Sequence, residues 1–130
     1  MENESLTMSR RNEFVRMLAL DAIADDYEDL EIIYSHVTSH GARCGVTIQP
    51  AEIRRELLHL IELGWAEVWE LSPWRPNKRI EDPKADQLDL EKYYYYVSET
   101  GRPVQLADWP DWPFDENGDL RADWTPPDDC

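Results

Sequence analysis

The sequence predicts an α+β domain: three helices, a two-stranded antiparallel ribbon, and an irregular acidic tail. Three observations predict it. Residues 46–71 pass from a short extended piece into an amphipathic helix, stop at Gly64, and continue at once as a strand. Two helical segments precede this unit. The strand-like run Tyr93-Tyr94-Tyr95-Tyr96-Val97 follows it.

The first helix is expected over residues 9–24. Phe14, Leu18 and Asp21 fall on one stripe, flanked by Val15, Ala22 and Met17, close to a 3.6-residue period. Ser9 stands where an N-cap belongs. Asp25-Asp26 is expected to cap a second helix over residues 27–38, with Leu30, Ile33, Tyr34 and Val37 as its apolar stripe. Glu28, Asp29 and Glu31 near its start suit the helix dipole. His40-Gly41 is expected to end it. Pro50 suits the first turn of the third helix, because its missing N–H has no partner there. Ile53, Leu57, Leu60 and Ile61 form the buried face of that helix, and Glu52, Arg55, Glu56, His59 and Glu62 point outward. Gly64 is the C-terminal stop. Strands follow at 65–71 and 93–98, joined by a Pro-containing connection in which residues 85–91 form a helical turn.

Composition bounds the function. The 130 residues, 42% hydrophobic, suffice for one core. No apolar run approaches the ~20 residues that span a bilayer. The polar start Met-Glu-Asn-Glu-Ser is unlike a secretory signal. Cys44 and Cys130 do not form a disulfide framework, so a cytoplasmic, reduced protein is expected. The net charge is −15. Residues 106–130 hold eight acids and one Arg, whereas residues 43–64 balance three Arg against three Glu. Such a field repels phosphate at long range. The tail, 103–130, holds five of nine prolines and three of six tryptophans. Asn117-Gly118 predicts a small hairpin from Phe114 to Leu120.

The stretch Thr47-Ile48-Gln49-Pro50-Ala51-Glu52-Ile53-Arg54-Arg55-Glu56-Leu57, leading to Leu60-Ile61-Glu62-Leu63-Gly64-Trp65, resembles the winged helix-turn-helix superfamily. The later Tyr96-Val97-Ser98-Glu99-Thr100-Gly101-Arg102 is similar to the closing strand and turn of many bacterial members. The resemblance covers about residues 9–102, and the domain is placed at 1–102. It implies that the third helix enters the major groove. Thr47, Gln49, Glu52, Arg54 and Arg55 would then face base edges, and Arg75, Lys78 and Arg79 of the wing would reach phosphates. Arg10 and Arg11 would add backbone contacts. Glu52 and Glu56 depart from the basic face that DNA-binding members show.

Other constellations point to less. His36, His40 and Cys44 are spaced by four, as zinc ligands on a helix would be, but Gly41 intervenes and a fourth ligand is missing. Asp115 to Asp119 has a faint calcium-loop pattern without the closing Glu. No metal, cofactor or catalytic arrangement is therefore expected. The preferred expectation is a non-catalytic, regulatory interaction module. It would bind a protein partner or a second copy of itself, with Trp109, Trp112 and Trp124 as anchors. The alternative is a transcriptional regulator holding duplex DNA. The acidic tail would in one variant lie over the third helix as a DNA mimic.

Overall fold

In the structure, a computed structural model, residues 9–71, 76–84, 88–106 and 109–127 are described, with the backbone alone at 105 and 106. Four α-helices, α1 (Arg10–Ala22), α2 (Leu30–Arg43), α3 (Pro50–Glu62) and α4 (Gly101–Leu106), combine with strands β1 (Ala66–Glu70), β2 (Lys78–Arg79) and β3 (Tyr94–Val97). The fold is α+β, with the strands forming one antiparallel sheet in the order β2-β1-β3.

Helix α1 is central. The Ser9 hydroxyl caps it by accepting from the Asn12 N–H at 3.0 Å. Seven of its side chains are buried, including Ala19 and Leu20 as well as the expected Phe14, Val15, Met17, Leu18 and Ala22. A single stripe would not bury so much. Helices α2, α3 and α4 and the tail residue Trp124 all pack on it. Phe14 and Ile33 share one core cluster with Ile53, Leu57, Leu60 and Ile61 of α3 and with Val68 and Tyr95 of the sheet.

Helix α2 differs from expectation at both ends. Residues 27–29 precede it, and its cap is Asp29, whose carboxylate accepts from the Ile32 N–H at 3.0 Å. The reason lies across the sheet. Glu28 is held extended by a reciprocal pair of hydrogen bonds with Tyr95, at 3.0 and 2.9 Å, which covers the outer edge of β3. At the other end, Gly41 does not stop the helix but continues it to Arg43. A Cβ on Gly41 would lie 2.6 Å from Ile48 Cδ1 and 3.1 Å from the Val46 carbonyl oxygen, so glycine lets the 46–48 segment lie against the helix. The left-handed turn residue is Gly45, with φ of 79°.

Helix α3 follows expectation at its ends. Pro50 sits in its first turn, the Glu52 carboxylate accepts from the Gln49 N–H at 2.9 Å, and Gly64 takes a φ of 77° after it. The chain then enters β1. The register pairs Ala66 with Val97, Glu67 with Tyr96, Val68 with Tyr95 and Trp69 with Tyr94. Alternation turns Ala66, Val68, Tyr95 and Val97 into the core and leaves Glu67, Trp69, Tyr94 and Tyr96 half-buried on the other face. The Tyr95 hydroxyl donates to the Leu90 carbonyl at 2.6 Å, and burial pushes its pKa well up. Two differences lie in the connection. Lys78–Arg79 forms a short third strand on β1, and a 3-10 turn runs over Leu90–Lys92, while residues 85–87 of the expected helical turn lie outside the described residues.

Helix α4 spans the position at which the composition changes, and no periodicity announced it. Ser98 starts it: its hydroxyl accepts from the Gly101 N–H at 3.0 Å and donates to the Gly64 carbonyl at 2.6 Å. Beyond it the tail is packed, with the expected Phe114 to Leu120 bridge present. Gly101 is pressed against the backbone just before β1, where a Cβ would overlap the Trp65 carbonyl oxygen and lie 2.9 Å from the Trp65 Cα. Because the obstacle is backbone, no rotamer change relieves it. Gly101→Ala is expected to lower stability by about 1–3 kcal/mol in urea denaturation, and an unchanged midpoint would show that the close approach is not required.

Candidate interaction surface

The third helix carries the residues the sequence assigned to a DNA groove, and most are engaged within the chain. Thr47 and Gln49 are exposed before α3. The Thr47 carbonyl accepts from Arg11 at 2.6 Å. Arg11 also pairs with both oxygens of Glu52, at 2.7 and 3.0 Å, and this guanidinium holds the Glu52 carboxyl below its ordinary range. Arg54 donates to the Tyr34 hydroxyl at 3.2 Å and lies 3.6 Å from Glu91. Arg55 donates to Asn12 at 2.8 Å and to Glu56 at 3.3 Å.

Glu56 corrects the expected outward face. It has no solvent exposure, because the seam between α1 and α3 closes over it. Arg16 of α1 donates to it at 2.9 Å, while Arg55 and His59 approach from α3. A second Arg16 nitrogen lies 3.0 Å from His59 Nδ1, and the same ring nitrogen lies 3.2 Å from the Glu56 carboxylate; it accepts from the first in one tautomer and donates to the second in the other. A carboxylate buried this far needs such partners, since an unpaired buried charge is strongly destabilising.

The connection between β1 and β3 shows the same economy. Arg79 lies 3.6 Å from Glu67 and Lys84 3.2 Å from Asp82; Lys78 is exposed, and Arg75 lies outside the described residues. Every described arginine has an acceptor or an ion-pair partner in its own chain. Exposed acids gather elsewhere, at Asp25, Asp26, Glu31 and along the tail. Glu28, beside Asp26 and Asp29, has a raised pKa, first from burial and then from those charges.

The tail uses its aromatic residues inward. Trp124 is 7% exposed, with its ring 5.5 Å from Phe14 and its indole N–H donating to the Asp111 carbonyl at 2.9 Å. Arg10 pairs with both oxygens of Asp111, at 2.6 and 2.8 Å, and lies over the Trp124 ring. Trp109 and Trp112 are half-buried, in ring contact with each other, and Trp112 touches Phe114. Phe114 meets His40 and Arg43 at the end of α2. The described tail contacts thus fall on α1 and α2 rather than over α3. Trp124, expected as a partner anchor, is a core side chain.

The metal candidates resolve into packing. His36 and His40 stack at 4.1 Å; His36 Nε2 lies 2.9 Å from Asp21, and His40 donates to the His36 carbonyl at 2.8 Å. Cys44 is buried, which pushes its thiol pKa up. Among the described residues no group of three or more His, Cys, Asp or Glu is placed to hold a metal ion. The Asp115 carboxylate accepts from the Asn117 and Asp119 N–H groups at 2.9 and 3.0 Å, which makes it a turn-former. Among the described residues no helix is long and apolar enough to cross a membrane.

The run Tyr93 to Tyr96, which the sequence offers as an aromatic platform with alternate rings on opposite faces, supplies Tyr94 and Tyr96 to the outer sheet face, and Tyr27 is what sequence reasoning missed there. Tyr27 packs edge-on against Trp69 at 5.2 Å and obliquely on Tyr96 at 4.9 Å. Beside them a groove of about 520 Å³ runs between β3 and α4. Strand alternation accounts for Glu67, Trp69, Tyr94 and Tyr96 lying on one face. Tyr27 carried no such signal, because its acidic neighbours read as a helix cap. Comparison with protein-family models, with curated proteins and with solved structures finds no match to this chain.

Two outcomes follow from the paired charges. Arg16→Ala leaves Glu56 buried with weaker partners and is expected to cost about 3 kcal/mol, whereas Arg16→Met with Glu56→Leu should regain most of it. Urea denaturation of both proteins decides, and a loss under about 1 kcal/mol for Arg16→Ala would remove the pair from the seam. For Glu52, a depressed folded-state pKa gives stability that is present above the unfolded-state value and lost as pH falls through the folded one. Glu52→Gln should therefore melt below the parent at neutral pH, with the gap closing below an ordinary carboxyl pKa of 4.5. Melting curves that stay parallel into acid would contradict this.

Proposed function

We propose that the chain is a non-catalytic winged-helix interaction module with a regulatory role that binds a protein partner. The order of three helices, the short paired segment at Glu28, the β1–β3 ribbon and the connection between those strands is compatible with that fold. One observation carries the functional reading. The arginines described on the face that would meet DNA, Arg11, Arg54 and Arg55, are bound by acceptors of this chain, while the net charge is −15. A phosphate backbone would have to break these pairs against a repulsive field, whereas DNA binding ordinarily rests on free cations. A basic protein surface meets the opposite condition. A second copy of this chain shares the same charge and is the less favoured partner. The cytoplasm is the proposed compartment.

One observation favours the second reading, a DNA-binding regulator. The Arg54, Arg55 and Arg79 side chains keep 41, 48 and 50% of their exposure, and Thr47 and Gln49 are exposed beside them. Fluorescence anisotropy with random duplex DNA at low salt separates the two. No saturable binding is expected up to about 100 µM protein, the weak limit of ordinary non-specific binding. Binding that falls steeply with salt and is lost in Arg54→Ala with Arg55→Ala would replace the proposal with the regulator.

A further inference from the structure

Resting on the reading of the chain as a protein-binding module, we infer that the open face of the sheet is a docking surface for a cationic peptide segment of the partner. Its rings are Tyr27, Trp69 and Tyr96, and it continues into the groove beside α4.

The β1–β3 register places Glu67 opposite Tyr96 and Trp69 opposite Tyr94 on the face turned away from the core. The helices bury the other face, where Ala66, Val68, Tyr95 and Val97 lie. Tyr27 joins the outer face because Glu28 is hydrogen-bonded to Tyr95. Each ring is half-buried: held firmly at its edges, it still presents surface. The adjoining groove has walls from Tyr96, Val97 and Pro103, with the carboxylates Glu67 and Glu99 in its lining. Its apolar length accepts aliphatic stems, and its carboxylates accept cationic heads.

Charge selects the occupant. An aromatic ring carries negative potential on its face and attracts guanidinium or ammonium groups. This molecule already uses that attraction, with Arg102 Cζ 5.6 Å from the Tyr96 ring centroid. Arg102 is anchored there by the Ala24 carbonyl at 3.2 Å and the Tyr96 hydroxyl at 2.8 Å. Glu67 is likewise fixed, accepting from the Trp69 indole N–H at 2.9 Å and lying 3.6 Å from Arg79, so a partner's cation would share this oriented carboxylate with Arg79. Glu99 is exposed at the mouth. With −15 on the whole chain, the field draws cations toward this surface and repels phosphate and a second copy alike. Rigid rings lose little side-chain freedom on binding, as interface anchors should.

The test is a titration of the full chain at low salt with a fluorescein-labelled peptide of alternating Arg and Ala, and with its Glu-Ala counterpart. The Arg peptide is expected to bind and the Glu peptide not to. Glu67→Gln with Glu99→Gln should weaken binding by about fivefold. The control pair Glu62→Gln with Glu116→Gln removes the same charge from α3 and the tail turn, and should change binding less than about twofold. Glu67→Gln retains an acceptor for the Trp69 indole, and circular dichroism confirms that each protein folds. The Trp69 indole N–H resonance should shift on binding while that of Trp124 stays in place. Equal weakening by both pairs, or an unmoved Trp69 signal, overturns the docking surface while leaving a protein-binding module intact. Absence of Arg-peptide binding overturns the docking surface, and if duplex DNA then binds, the protein-binding reading falls with it.

Discussion

The seam between α1 and α3 closes on a carboxylate, and much else follows from how that charge is held. Glu56 has lost all contact with water, so it requires Arg16 across the seam and draws in Arg55 and His59 along its own helix. A purely apolar seam would tolerate rotation of α3 about its axis. A buried ion pair does not, because misalignment strands a charge in low dielectric. The pair therefore sets which side of α3 faces α1, and with it the placement of Ile53, Leu57 and Leu60 in the core.

The same pairing shapes the surface. Arg54 and Arg55, which the third helix would offer to a groove, answer instead to Tyr34, Glu56 and Asn12, and Arg11 of the first helix answers to Glu52. Each is a short contact within the fold, and the acids left over stand at the surface in surplus. The molecule thus pairs its described arginines within the chain and leaves a surplus of negative charge outward. That separation is the physical basis for proposing a basic protein partner, and it gives the aromatic side of the sheet its cation-seeking character.

The tail extends the core. Its Trp and Phe side chains find Phe14, His40 and Arg43, and its Asp111 finds Arg10. The last turn of α2, with its stacked histidines, is part of this dock. Trp124, which the sequence offers as a partner anchor, is needed to cover α1, a helix hydrophobic on too many sides for its neighbouring helices alone to enclose.

Local rules were strong enough to be read from the sequence wherever neighbours in the chain decide the outcome. The period of α3, its Pro50 start, the stop at Gly64, the Ser9 cap and the Asn117-Gly118 hairpin are of this kind, since propensity, capping and turn geometry act within a few residues. The tertiary structure decided what depends on distant partners. Gly41 stays helical because Ile48 lies against it; Glu28 is extended because Tyr95 pairs with it; Glu56 is buried because Arg16 reaches it from 40 positions away. A charged residue in a helical pattern reads as a solvent-facing one until its partner across the core is known. The candidate surface followed the same division: alternation marks Trp69 and Tyr96, but only the folded chain brings Tyr27, Glu99 and Arg102 beside them, because contact across the sheet leaves no periodic trace in the sequence.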